Sequence, residues 1–220
     1  MRMKSIFRHE TILFLVVIVA LVILSIQAEQ FATIDNLLNQ GRFLTEVSLV
    51  ALIMTFVIVT GGIDLSVGSI LGLSAIVLGV AWKKLGLPLP LAILVALSVG
   101  TLAGLFNGFI ITRFKVPPLI ATLATLALYR GLAEGISQAR SIRGYPEWFF
   151  ILGQGEFFGI PTQLWIVAFF TLLTGFILTY TTWGRATYAI GANETAARFS
   201  GIDVDKTKLF IYAASGFAAS

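Results

Sequence analysis

Few residues in this chain can do chemistry on a small molecule, and the one that stands out is Asp64. It lies in Thr60-Gly-Gly-Ile-Asp-Leu-Ser-Val-Gly-Ser-Ile70, with Gly61, Gly62, Ser66 and Gly68 around it and apolar runs at 47–59 and 71–82 on either side. A carboxylate carried into a bilayer costs on the order of 3 kcal/mol, so at membrane depth it must face protein or a water-filled cavity. Glycines let the backbone leave a helix, and irregular backbone at that depth is tolerated only where it is buried or lines a cavity. One reading is a broken-helix element at a solute pathway, made by Gly61, Gly62, Asp64, Ser66 and Gly68. The other is a tight turn in water, with Asp64 capping the helix that follows.

Other chemistries are missing. With no cysteine there are no disulfides, thiol nucleophiles or thiolate metal sites. The single histidine, His9, sits in a basic N-terminal tail. The acidic residues are scattered, which offers neither a metal-ligand spacing nor an acid pair for proteolysis. No Gly-x-x-x-x-Gly-Lys-Ser/Thr loop is present, so ATP binding by that motif is excluded. The sequence therefore predicts neither an enzyme, a cofactor nor a metal. A membrane passage for a solute, without an energy source of its own, fits better.

The elements that would position Asp64 follow from composition. Hydrophobic residues make up 57% of the 220 residues and charged residues 12%, with mean hydropathy +0.93; a soluble domain carries about 25% charged residues. The apolar runs approach 20 residues and lack the alternation of a barrel, so the expected fold is all-α and polytopic in a membrane. Six spans are expected, near 11–27, 43–60, 67–82, 91–112, 117–135 and 163–182. A seventh begins at 208–220, with about 12 of the roughly 20 residues a crossing needs. The chain thus reads as one transmembrane domain over 1–220, with its C-terminal part missing. The net charge of +4 calls for no nucleic acid, because membrane proteins gather Lys and Arg in cytoplasmic segments. That rule places the N-terminus, with Arg2, Lys4 and Arg8, inside, and leaves Lys83 and Lys84 outside.

Within this frame a polar stretch at 31–42 is expected to hold a short surface helix capped by Asp35 or Asn36. Gly100, Gly104 and Gly108 form one helix stripe for close packing, inside the chain or between two copies. Asn107, beside that stripe, either lines a pathway or hydrogen-bonds another helix. Arg130 and Glu134 are spaced to pair on one face, as a structural tie or at a solute entrance. Residues 137–161 mix arginines, glycines and aromatics, as an outer loop or interfacial helix against membrane lipid would. Residues 183–206 are hydrophilic. In them Asn193 can cap a helix over 194–200 that stops at Gly201.

Two stretches carry a resemblance. Residues 60–70 resemble the hallmark of sugar-type permease subunits of bacterial ABC importers, the ribose, xylose, rhamnose and autoinducer-2 group. Gly184-Arg-Ala-Thr-Tyr-Ala-Ile-Gly-Ala-Asn-Glu-Thr-Ala-Ala-Arg-Phe-Ser-Gly-Ile-Asp203 is similar to the same family's cytoplasmic loop that engages the ATPase. Phe106-Asn107-Gly108 and residues 116–125 also fit. The resemblance implies an inner-membrane permease subunit passing a monosaccharide or similar small polar solute. Its partners would be cytoplasmic ATP-binding subunits, a second permease subunit and an extracytoplasmic solute-binding protein. It makes 183–206 the coupling loop, with Gly184, Arg185, Gly191, Asn193, Glu194, Ala196, Ala197, Arg198, Ser200 and Gly201 as its marked positions. Small Ala196 and Ala197 would allow close approach, and Arg185 and Arg198 would meet acidic partner groups. A stand-alone carrier or channel, and a membrane fragment that transports nothing, are the other readings.

Overall fold

A computed structural model describes residues 3–138 and 140–220, leaving aside the side chains of 3–10 and of Leu152. Arg2 lies outside the described residues, as do the side chains of Lys4, Arg8 and His9. In chain order the elements are α1 (Met3–Gln27), α2 (Ile34–Val59), α3 (Val67–Lys83), α4 (Leu89–Arg113), α5 (Pro118–Ser137), α6 (Glu147–Gln154), strands β1 (Glu156–Phe157) and β2 (Ile160–Pro161), α7 (Thr162–Tyr180), α8 (Thr182–Ala192), α9 (Glu194–Phe199) and α10 (Val204–Ala219). The all-α expectation holds. Helices α2, α4, α5 and α7 are long and apolar enough to cross a membrane. α3 and residues 11–27 of α1 are shorter apolar helices, about 25 Å each at about 1.5 Å per residue.

The core is built around α10. Its Gly216 packs into the glycine stripe of α4, where a Cβ on Gly100 or Gly104 would collide with α10 backbone, and Gly108 lies against Leu209. The stripe therefore serves packing inside the chain. α3 sits between α4 and α5, and α2 lies on α10 and α7. Phe56 and Val57 of α2, Ile111 of α4, Ala121 of α5 and Ile211 and Tyr212 of α10 form one buried cluster. Along α7 and residues 11–27, no side chain is buried.

The connections segregate to two ends. At one end Lys83 donates to the carbonyl of Arg143 at 2.5 Å, Trp82 stacks on Tyr145 at 4.8 Å, and Arg42 pairs with Glu156 at 2.7 Å. At the other, Lys115 pairs with Asp205 and Gly191 abuts Val59. Lys83 thus shares an end with the 137–161 segment, as the alternation of spans requires.

Three expectations are corrected. The 31–42 stretch holds no separate surface helix: α2 runs unbroken from Ile34, and Thr33 rather than Asp35 or Asn36 is its cap, accepting from the Asn36 N–H at 3.3 Å. No proline occurs there to end a first segment, and the helix runs through Gly41. Residues 183–206 hold two helices rather than one. Thr181 caps α8, which buries Gly184, Thr187 and Ile190 at helical spacing. The final helix begins at Val204, before the apolar run, because Asp203 caps it by accepting from the Lys206 N–H at 3.1 Å.

Candidate functional site

Helix α2 stops because of its last residues. Thr60 is the C-cap, Gly61 takes the left-handed conformation at φ 75°, and the Gly61 and Gly62 N–H groups bond back to the Ile58 and Val57 carbonyls, both at 2.9 Å. This is a Schellman ending, which favours glycine at the left-handed position. Gly62 also has no room for a side chain: a Cβ would lie 2.8 Å from the Tyr212 hydroxyl. From 61 to 66 the chain is neither helix nor strand, and burial alternates. Gly62, Asp64 and Ser66 point in; Gly61, Ile63 and Leu65 point out. Gly68 is exposed on α3, with nothing within 4 Å of where a Cβ would stand.

Asp64 is 2% exposed and sits in a chain of hydrogen bonds. Its Oδ1 accepts from the Ser66 N–H at 2.9 Å and the Ser66 hydroxyl at 2.6 Å. Its Oδ2 accepts from the Ser215 hydroxyl at 3.3 Å. The Asn107 amide donates to Ser66 Oγ at 2.7 Å, and the Tyr129 hydroxyl lies 3.1 Å from Asn107 Oδ1 and 2.8 Å from the Ala103 carbonyl. The Ile63 carbonyl lies 3.3 Å from the Thr122 hydroxyl and 3.4 Å from that of Tyr212. Thus α3, α4, α5 and α10 all bond to the break. Asn107 lies about 9 Å from the Arg113 end of α4, and Ser215 about 16 Å into α10, at about 1.5 Å per residue. The break therefore reaches well inside the bundle, and the reading of a tight turn in water does not fit it.

Three donors, the Ser66 N–H and the Ser66 and Ser215 hydroxyls, end on the carboxylate, the Asn107 amide supports it through Ser66, and no cation among the described residues bonds to it. Buried polar groups satisfied this way fix a geometry, and removing one partner strands the rest at about 1–3 kcal/mol each. Asp64, Ser66 and Asn107 are fastenings in this arrangement. Sequence reasoning missed Tyr129, Ser215 and Tyr212. A signal for the first was present: Thr122, Thr125 and Tyr129 make a polar stripe on α5, and all three are buried.

The second locus is the α8–α9 segment. Gly184 lies against the Ile177 and Leu178 carbonyls at the α7–α8 turn, and Gly191 against the Val59 carbonyl at the end of α2, where a Cβ would collide. Asn193 caps α9, its Oδ1 accepting from the Ala196 N–H at 2.9 Å. Gly201, at φ 84°, ends it with bonds to the Arg198 and Ala197 carbonyls at 3.1 Å from its own N–H and that of Ile202. Ala197 turns inward against Ile190 and Val204, whereas Ala196 and Ser200 are exposed. Arg198 bonds to Asp205 at 2.5 Å and Glu194 at 2.9 Å. Lys208 pairs with Glu194 at 2.5 Å, and Lys115 with Asp205 at 2.9 Å. Arg198, followed by Lys115, holds the Asp205 carboxyl down at about 2. Lys208 first, then Arg198, lowers that of Glu194. Asp205, then Glu194, raises the guanidinium of Arg198. Arg185 is exposed and forms no ion pair among the described residues.

Helix α10 connects the loci, with Asp205 and Lys208 at one and Tyr212 and Ser215 at the other. An apolar cleft of about 660 Å³ lies between α2, α7 and α10, lined by Leu49, Ile53, Phe170, Leu173, Phe210 and Phe217 among others; such walls suit acyl chains or another helix, not a polar solute. Arg130 and Glu134 pair at 3.1 Å within α5 alone, with both side chains exposed.

The profile of a family described as "Branched-chain amino acid transport system / permease component" matches residues 34–220. The chain is 38% identical over 211 residues to the ribose import permease protein RbsC of Haemophilus influenzae, covering 94% of this chain and 65% of the relative. It is 36% identical over 198 residues to the L-arabinose transport system permease protein AraH of Escherichia coli, covering 86% and 58%. It is 38% identical over 172 residues to the autoinducer 2 import system permease protein LsrC of an Enterobacter species, covering 78% and 50%. The chain therefore spans about two thirds or less of the length of these relatives. No solved structure matches it.

Proposed function

The chain belongs to the branched-chain amino acid transport system / permease component family, and from that premise we propose that it acts as the transmembrane permease subunit of an ATP-driven importer. It resides in the bacterial inner membrane and, with a second permease subunit, forms the pathway for a monosaccharide or similar small polar solute. A solute-binding protein delivers the solute from outside. ATP is hydrolysed by separate cytoplasmic subunits, so this chain is not itself an enzyme.

The observation that carries the reading is the double attachment of α10. Its first two turns are ion-paired to α9 through Arg198–Asp205 and Lys208–Glu194, and Ser215 bonds to Asp64. Residues 183–206 act as the coupling loop. When a partner displaces α9, α10 carries the displacement to the break, and Asp64 and Ser66 hold α3 to α4 and α5 while it moves. The abutment of Gly191 on Val59 gives the loop a second hold, on α2.

Reconstitution tests the reading. The chain is incorporated into vesicles with the purified cognate ATP-hydrolysing subunit and binding protein, and uptake of labelled pentoses and hexoses is measured. Uptake that needs both the partner and ATP on the side of the coupling loop is expected. Uptake driven by an ion gradient without the partner would replace this reading with a stand-alone carrier.

A further inference from the structure

The most exposed large apolar side chain among the described residues is Phe199, at 90%. It is the last residue of α9, a six-residue helix whose Glu194 and Arg198 are ion-paired, and the charged residues Asp203, Asp205 and Lys206 follow it closely in the chain. An aromatic ring that nothing in its own chain covers marks an interaction site when its backbone is held in place. Here it is rigid: α9 is capped by Asn193, closed by Gly201, seated on Ile190 and Val204 through Ala197, and pinned by Arg198.

The charges around the ring narrow the partner's chemistry. Arg198 is taken by Glu194 and Asp205, Lys208 by Glu194, Lys115 by Asp205 and Lys206 by Asp203. The sequence alone assigned Arg198 to acidic groups of a partner; its two internal carboxylates now fill that role. Besides Arg198, whose charge Glu194 and Asp205 already meet, α9 and its cap leave Thr195, Ala196, Phe199 and Ser200 exposed, three small uncharged side chains and an aromatic ring. The complement to such a tip is an uncharged, apolar pocket.

We propose that Phe199 is the anchor of the coupling loop, its ring entering an apolar pocket on the ATP-hydrolysing partner. The proposal rests on the importer reading and adds to it the contact residue and its chemistry. Arg198 then stiffens α9, and Arg185, on α8, is left for the rim.

The chain has no cysteine, so Thr195→Cys and Phe199→Cys can each carry an environment-sensitive fluorophore in vesicles, to be titrated with the purified cognate ATP-hydrolysing subunit. Retention of that subunit by full-length Phe199→Ser and Phe199→Leu is measured in parallel. The expected result is a blue shift at 199 on adding the subunit, at least a tenfold loss of retention for Phe199→Ser, the scale of an interface anchor, and recovery to within about threefold for Phe199→Leu. If the label at 195 responds but Phe199→Ser retains the subunit fully, the anchor is wrong and the importer reading stands. If neither label responds and the unsubstituted chain retains no subunit, both fall. A label at 199 that is already blue-shifted, and quenched by brominated lipid without the subunit, would put the ring in the membrane surface and overturn the proposal.

Discussion

Helix α10 is held near Ser215 by buried hydrogen bonds and near Asp205 by exposed ion pairs. At Asp64 a single carboxylate, shut away from water, gathers the Ser66 and Ser215 hydroxyls and a backbone N–H. At Asp205 and Glu194 three cations share two carboxylates, with side chains mostly 38–62% exposed and Lys208 at 16%. The buried node has no water to replace a lost partner, so each loss there is expensive. Exposed pairs are worth about 0–1 kcal/mol and weaken in salt. The first arrangement sets one geometry. The second can loosen and re-form at small cost, which suits the coupling role proposed for that end of α10.

The comparison breaks most readily at Asp64. Asp64→Leu strands the Ser66 and Ser215 donors and should destabilise the purified protein by about 3 kcal/mol, read as a large fall in melting temperature; an unchanged melt would remove the node from the account. Next comes Gly191. Gly191→Leu drives a side chain into the Val59 carbonyl and should cost about 2 kcal/mol as overpacking does. Gly68→Ala, facing open space on the same side of the molecule, should leave the melt unchanged or raise it by a few tenths of a kcal/mol; equal effects at both glycines would deny that the loop is wedged on α2. Tyr129→Phe removes one hydroxyl from the node and should cost about 1 kcal/mol, measured in the same melts.

The smallest effects belong to the ion pairs. Arg198→Ala should cost less than about 1 kcal/mol, and less again at high salt. The pH dependence has a definite sign. Asp205 titrates below its ordinary 3.8, at about 2, so its contribution is complete above about pH 4 and is lost as pH falls from there towards 2. The 13Cγ resonance of Asp205 should report a midpoint near 2, returning towards 3.8 in Arg198→Ala; a midpoint near 3.8 in the unsubstituted chain would mean that the pair is absent in solution.

What could be read from the sequence was local. The ending of α2 at Gly61 and the limits of α9 between Asn193 and Gly201 are set by residues within one turn, and they could be predicted from residue type alone. Asp64 and Ser66 stood out because two apolar runs enclose them. The remainder depends on residues distant in the chain. Ser215 lies among alanines and glycines with nothing to mark it, and its meeting with Asp64 depends on the crossing of α10 over α4. Arg198 looked available to a partner because Asp205, which takes it, follows the Gly201 turn. Helix α8 was hidden because Arg185 and small residues made its stretch read as a hydrophilic loop, although Gly184, Thr187 and Ile190 already had the spacing of one buried face.

The most direct test of the account is the number of solute molecules imported per ATP hydrolysed by the reconstituted complex carrying Asp64→Asn, a substitution that keeps the shape of the node and removes one acceptor. The ATP-hydrolysing partner should stay bound and active while import falls at least tenfold. Import at the unsubstituted rate, with hydrolysis unchanged, would contradict the account, because the bond between α10 and the break would then carry nothing.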